Sequence, residues 1–234
     1  MIMKRSPTFL VLLTAFAAAS AQNAHAQRID SPYQFLDHSQ FGGVWAGYVS
    51  TSEGRLDGGP QAAPIFGVNW ALRVSGPFAL YVDVGFMPTR RTVRDTTFEA
   101  ADSMYTSIGE ADFSLLTAMG NLRFNLTGAR TWHGFQPFVI AGAGMAVDLA
   151  SASAIEEDMQ PNQRFDFGTS FAGQLGVGTD WYASPRVSIR VDARDMFWKL
   201  PVPEAFGFTE NGARFPRSDW EQNFALAAGL SIHF

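Results

Sequence analysis

Residues 224–234 read FALAAGLSIHF, and large apolar side chains in this stretch alternate with small or polar ones. The apolar positions are Phe224, Leu226, Ala228, Leu230, Ile232 and Phe234. Successive side chains of a β-strand point to opposite faces of the sheet. The stretch therefore predicts a strand with one apolar face and one face of small or polar groups, and this strand runs to the terminal aromatic residue.

Seven earlier stretches show a similar pattern, so the sequence predicts eight strands. They lie at 40–50, 63–74, 78–90, 111–126, 135–149, 164–182, 187–198 and 220–234. Each is near or above the roughly 9–11 residues that cross a bilayer at a tilt. The connections are short at 75–77, 127–134 and 183–185, and they are long and polar at 51–62, 91–110, 150–163 and 199–219. An even strand number with alternating turns and loops predicts an all-β fold, an eight-stranded antiparallel up-and-down transmembrane β-barrel.

The polar faces of these strands predict what fills the barrel. An eight-stranded barrel has an interior just wide enough for side chains. The predicted interior polar network comprises Asn69, Arg73, Asp83, Asn121, Arg123, Gln174, Asp180, Arg190, Asp192 and Arg194. Because an unpaired buried charge is costly, we expect most of these charges to be matched.

Two tight turns predict the register of their hairpins. A three-residue turn at 75–77 places Asn69 opposite Asp83. A three-residue turn at 183–185 places Gly178 opposite Arg190 and Gln174 opposite Arg194. In both hairpins the polar faces then meet, as they must, since a slip of one residue would turn every side chain over.

Aromatic residues cluster near both ends of the predicted strands. Trp132, Trp181 and Tyr182 lie beside short turns, whereas Phe197, Trp198 and Trp220 lie beside a long loop. Aromatic side chains are enriched at both membrane interfaces, so two girdles are expected.

The first 26 residues have the pattern of a secretory signal peptide. Lys4 and Arg5 precede the apolar run 9–19, and Ala24–His25–Ala26 is a small-x-small cleavage site. A membrane anchor is the weaker reading, because the run is shorter than the roughly 20 residues of a spanning helix. The predicted organisation is a signal peptide at 1–26, a periplasmic N-terminal tail or short plug at 27–39, and the barrel domain at 40–234.

Composition restricts the class of partner and the surface. The formal net charge of −5 argues against nucleic acid as a partner. Charged residues make up 17 %, whereas a soluble domain usually has about a quarter, so much of the surface is expected to avoid water. Without any cysteine there is no disulfide framework and no thiolate metal site.

With these patterns, residues 40–234 resemble the small OmpA/OmpX-type barrels of bacterial outer membranes. The resemblance rests on FVIAGAGM at 138–145, GQLGVGTDWY at 173–182 and the closing-strand signal Leu230, Ile232 and Phe234. It implies a monomer in the cell outer membrane, in contact with lipid and lipopolysaccharide, that is recognised by the barrel-assembly machinery through its C-terminal strand. Longer members carry a peptidoglycan-binding domain after the barrel, and this sequence ends at the last strand.

The leading functional hypothesis is a barrel without enzymatic activity or cofactor, with a structural or surface-recognition role through its long loops. Loops are where binding usually resides. Their carboxylates are candidate ligands for divalent cations that bridge lipopolysaccharide, although no spacing matches a calcium loop. These carboxylates are Glu53, Asp57, Glu99, Asp102, Glu156, Glu157, Asp158 and Glu210.

Three alternatives stay open at this point. A lipid-modifying enzyme would need a nucleophile and a base, and Ser231 and His233 share the inner face of the last strand. A narrow channel would be lined by the inner arginines and aspartates. A soluble lipocalin-like barrel is suggested by the G-x-W triplet at 43–45, but the polar faces are too sparse to solvate an exterior.

Overall fold

The computed structural model describes residues 31–54, 58–99, 104–150, 153–206, 216 and 218–234. The chain divides into two compact units, Met1–Pro32 and Tyr33–Phe234. The predicted signal peptide and the first residues of the predicted tail lie outside the described residues. Within the described ranges, no helix is long and apolar enough to cross a membrane.

The second unit consists almost entirely of antiparallel strands. Its described residues form ten strands: β1 (Tyr33–Phe35), β2 (Gln40–Ser50), β3 (Ala63–Ser75), β4 (Phe78–Glu99), β5 (Met104–Asn125), β6 (Arg130–Trp132), β7 (Phe135–Asp148), β8 (Thr169–Ser184), β9 (Val187–Pro201) and β10 (Ser218–His233). The described parts of the connections include a short helix α1 (Ala154–Glu157) and a 3₁₀ turn (Glu204–Phe206).

Eight of these strands form a closed ring. Its order is β2–β3–β4–β5–β7–β8–β9–β10, and β10 pairs again with β2. The seam runs from Phe224 opposite Ser50 to His233 opposite Phe41. Gln40 and Phe234 then exchange backbone hydrogen bonds of 3.2 and 3.0 Å. The eight-stranded antiparallel up-and-down barrel is confirmed, and β1 and β6 form an additional ribbon beside β7.

The β4–β5 hairpin is longer than predicted. Residues 91–110 were expected to form a polar loop, but β4 continues to Glu99 and β5 begins at Met104. Thr92, Val93 and Phe98 are residues that favour strands, and they pair with Glu110, Gly109 and Tyr105 beyond the ends of β3 and β7. The register shifts between Val93 and Arg94 and again between Arg94 and Phe98.

One of the two predicted hairpin registers is correct. Asn69 lies opposite Asp83, which confirms the β3–β4 register. The β8–β9 register is wrong by two residues, because Asp192 rather than Arg190 lies opposite Gly178. The turn residues are Pro185 and Arg186, and Ser184 Oγ accepts hydrogen bonds from the next backbone N–H groups. A slip of two keeps every side chain on its predicted face.

The barrel wall separates polar from apolar side chains. On β3, Phe66, Val68 and Trp70 point outward and are exposed, whereas Asn69 is buried on the inside. The same alternation places Leu226, Leu230 and Ile232 of β10 outward. Below, "turn end" denotes the end of the barrel that carries the turns near residues 76, 128 and 185, the start of β2 and the end of β10. "Loop end" denotes the opposite end.

Candidate functional site

The centre of the barrel holds a network of charged and amide side chains. Arg194 donates from Nη1 to Asp83 Oδ1 at 3.1 Å and from Nε to Asp192 Oδ1 at 2.5 Å. Asp83 Oδ2 also accepts hydrogen bonds from the Asn121 amide at 2.8 Å and the Gln174 amide at 2.9 Å. Because all five residues are buried, these contacts replace part of the solvation that water would provide.

Two arginines of the network stack on one aromatic ring. The guanidinium carbons of Arg123 and Arg190 lie 3.9 and 4.5 Å from the centroid of Phe138. Arg190 also lies 4.5 Å from the Tyr81 ring and forms an ion pair of 2.8 Å with Asp192. Cation–π contacts and carboxylates together stabilise the positive charges inside the wall.

Nearer the turn end, Arg123 has its own acidic partner. Its Nη2 lies 2.5 Å from Asp180 Oδ2, and its Nε donates to Asn125 Oδ1 at 2.7 Å. Arg73 is less buried than the other predicted members and donates to the backbone carbonyl of Leu36 at 2.9 Å. The structure therefore brings Asp83, Asn121, Gln174, Asp192 and Arg194 into direct contact, and it places Asn69 on the inner face, Arg123 with Asp180, and Arg190 against Asp192.

The segment between β1 and β2 is fastened across the turn end. The Leu36 N–H donates to the Ala129 carbonyl at 3.0 Å, and the Arg73 N–H donates to the Ser39 carbonyl at 2.7 Å. Part of the predicted tail is thus bound to the barrel rather than separate from it.

The half of the interior toward the loop end is filled by apolar side chains, although the sequence predicts only a polar interior network. This buried cluster includes Trp45, Val49, Ile65, Met87, Phe113, Leu115, Met119, Met196, Trp198 and Leu200. Trp198 was expected in a girdle but is only 1 % exposed, and Tyr182 also points inward, toward Gln136. Strand parity carries the signal, because Trp198 has the same parity as the inward-facing Arg190 and Arg194.

A buried ion pair holds the helix α1 over the loop end. Arg91 Nη2 lies 2.5 Å from both carboxylate oxygens of Glu156, and Phe165 packs 4.9 Å from the guanidinium. Ser153 caps the helix by accepting the Glu156 N–H at 3.3 Å, and its hydroxyl lies 3.2 Å from that carboxylate. The Ser-x-x-Glu spacing of a capping box is a sequence signal for the start of this helix, and it does not predict the contact with Arg91.

This ion pair bears on the prediction that loop carboxylates bind divalent cations. Glu156 was a candidate cation ligand, yet it is buried against Arg91. Asp57, Asp102 and Glu210 lie outside the described residues. Across the part of the chain that the structure describes, no group of three or more histidine, cysteine, aspartate or glutamate residues could hold a metal ion.

The serine–histidine pair differs from the one expected. His233 Nε2 lies 2.8 Å from Oγ of Ser188 on the neighbouring strand. Ser188 is fully buried, and Phe41 packs 5.1 Å from the His233 ring. In the closed barrel this hydroxyl is therefore shielded from solvent.

Comparison with known proteins supports the architecture. No protein-family profile matches the sequence, and no curated protein sequence matches it either. Among solved structures, the outer membrane protein OprG from Pseudomonas aeruginosa is similar, with a TM-score of 0.50 and 13 % identity over 88 % of this chain and 99 % of that one. This match shows that the chain has the fold of an outer-membrane barrel.

Two further solved structures are similar over nearly their whole length. Neisserial surface protein A has a TM-score of 0.48 and 13 % identity, with 87 % of this chain and 98 % of that chain covered. The E. coli outer membrane protein W has a TM-score of 0.43 and 16 % identity, with coverages of 84 % and 98 %.

Proposed function

We propose that this protein is an integral barrel of the bacterial outer membrane with a structural or surface-recognition role. The observation that carries the proposal is the polarity of the wall. Apolar side chains such as Val68, Leu175 and Leu230 are more than half exposed on the outside, whereas Arg123, Arg190 and Arg194 are at most 1 % exposed inside. Such a surface is stable in lipid and unfavourable in water.

The height of the outward apolar band matches a bilayer. On β8 the band runs from Trp181 at the turn end to Phe171 toward the loop end, with Leu175 and Val177 between them. The ten residue-to-residue steps from Phe171 to Trp181 span about 33 Å along the strand, which a tilt of about 40° reduces to about 25 Å. Trp220 packs 6.2 Å from Phe171, so aromatic rings border the band at both edges.

The filled interior favours a structural or recognition role over transport or catalysis. Charged residues occupy the centre, and the apolar cluster occupies the loop end. The long connections then face the outside of the cell, with the turn end in the periplasm. Arg91 and Glu156 fix α1 so that the neighbouring Glu157 and Asp158 remain exposed. A fixed acidic loop is a surface that a cationic partner can recognise.

Gel mobility and cell fractionation test this proposal. The mature chain should fractionate with outer membranes and migrate differently before and after boiling in SDS, because a closed barrel resists the detergent. A single heat-independent band in the soluble periplasm would overturn the proposal and favour the lipocalin-like alternative.

A pair of arginine substitutions separates lipid-facing from water-facing positions. Val177→Arg lies in the band and should lower the unfolding free energy in vesicles by up to about 2–4 kcal/mol. Glu157→Arg is the control in an exposed loop and should change it by less than about 0.5 kcal/mol. Equal effects of the two substitutions would contradict a lipid-facing wall.

A further inference from the structure

We propose that the β1–β6 ribbon is a membrane-interface anchor that binds the phospholipid headgroup layer at the turn end. The inference rests on the proposed function, because it requires the barrel to lie in a bilayer. The ribbon pairs Tyr33 with Trp132 and Phe35 with Arg130. The ribbon lies outside the ring of eight strands, so the barrel closes without it. Part of its surface comes from β1, in the segment before the barrel.

Register places the outer side chains of the ribbon on the outward face of the wall. Trp132 lies opposite Phe135 of β7, and Phe135 lies opposite Trp181 of β8. Residues directly opposite each other in a sheet project from the same face. The outward side chains of these strands therefore form one continuous surface, which consists of Phe35, Arg130, Tyr33, Trp132, Phe135 and Trp181. Thr131, which has the opposite parity, is buried.

The chemistry of this surface fits a headgroup layer. Tyr33, Phe35 and Trp132 are 47, 67 and 50 % exposed, which is unfavourable for aromatic rings in water. The Arg130 guanidinium lies 4.2 Å from the Phe35 ring and is itself exposed. Amphipathic aromatic residues occupy the membrane interface, and arginine forms bidentate hydrogen bonds with phosphate.

The same combination occurs at the other edge of the apolar band. There, Lys199 Nζ lies 5.1 Å from the Trp220 ring, beside Phe171 and Phe197. The ribbon is also held in place, because Leu36, the residue after β1, is bonded to Ala129 and to Arg73. The anchor surface thus has a fixed orientation relative to the band.

Nitroxide labels at single cysteines test the inference directly, since the chain contains no cysteine of its own. Phe35→Cys and Tyr33→Cys report on the proposed anchor, and Gln34→Cys, on the other face of β1, is the matched control. Val68→Cys reports on the apolar band. Each labelled protein, checked for its heat-dependent mobility, is placed in vesicles of phosphatidylethanolamine and phosphatidylglycerol. Collisions with oxygen and with a water-soluble nickel chelate are then compared.

We expect the label at position 68 to collide mainly with oxygen and the label at position 34 to collide mainly with the nickel chelate. The labels at positions 33 and 35 should collide at low rates with both reagents. Arg130→Gln should raise the nickel accessibility of the label at Phe35. If Val68 is in lipid while positions 33 and 35 are as open to nickel as Gln34, the anchor is wrong and the membrane barrel stands. A water-exposed Val68 would overturn the proposed function itself.

Discussion

At the scale of single residues, stability depends on how each buried charge is matched. Asp83 accepts hydrogen bonds from three side chains, whereas Arg123 depends on one carboxylate, that of Asp180, and on the rings beside it. Arg90 and Glu110 also form an ion pair, at 3.4 Å, but their side chains are 64 and 53 % exposed. The same type of pair is therefore present in two very different environments.

We expect Asp180→Ala to lower the free energy of unfolding by about 3–5 kcal/mol, because it leaves the Arg123 guanidinium buried without its carboxylate. Glu110→Ala should lower it by no more than about 1 kcal/mol, since water solvates Arg90. Urea unfolding in vesicles, followed by tryptophan fluorescence, measures both. If the double variant Asp180→Ala/Arg123→Met recovers much of the lost unfolding free energy, the loss comes from the unmatched Arg123 charge. Similar losses in Asp180→Ala and Glu110→Ala would contradict the argument.

At the scale of elements, the loop that carries α1 is part of the folded unit. Phe167 packs 5.3 Å from Phe113 in the wall, and Glu156 is fixed by Arg91. Arg164 donates to the carbonyls of Met159 and Glu157 and so holds the turn after the helix.

We expect Glu156→Ala to speed tryptic cleavage after Arg164 by about two orders of magnitude, because loss of a buried ion pair of about 3 kcal/mol favours local opening. Glu157→Ala, one residue later and exposed, should cleave at the original rate. Heat-dependent gel mobility should be unchanged in both variants. Equal cleavage of the two variants would show that the ion pair does not hold the loop.

Elements also show how far the sequence predicts this structure. Period-two alternation predicts the eight strands and their faces, so Arg190 and Arg194 point inward even though the β8–β9 register is wrong by two. Alternation does not predict where a strand ends, and β4 and β5 therefore extend through an expected loop. The contact between Arg91 and Glu156 joins residues far apart in sequence, and only the fold brings them together. The three-residue strands β1 and β6 are too short to show a period.

At the scale of the whole molecule, the interior is closed by two kinds of packing. In the central network, charged and amide side chains bind one another. The apolar cluster at the loop end includes Trp45, Phe113 and Trp198. Both regions fill the described interior with buried side chains.

We therefore expect no reproducible conductance steps from the purified barrel in planar bilayers. The double variant Arg194→Ala/Trp198→Ala removes one side chain from each region. Conductance steps should appear in this variant if the packed side chains are the barrier to ions. Steps from the unaltered protein would contradict a filled interior. A silent double variant that still shows its heat-dependent mobility would mean that the remaining side chains are a sufficient barrier.

The seam between β2 and β10 pairs the residues of the ring that are farthest apart in sequence. It joins the first and last strands of the ring, so its ladder cannot form until the end of the chain is present. Without β10 the sheet would have two open strand edges, one on β2 and one on β9, and open edges promote aggregation. Contacts between such distant parts of a chain form slowly. Pairing of β10 with β2 is therefore the step that removes both edges and closes the barrel.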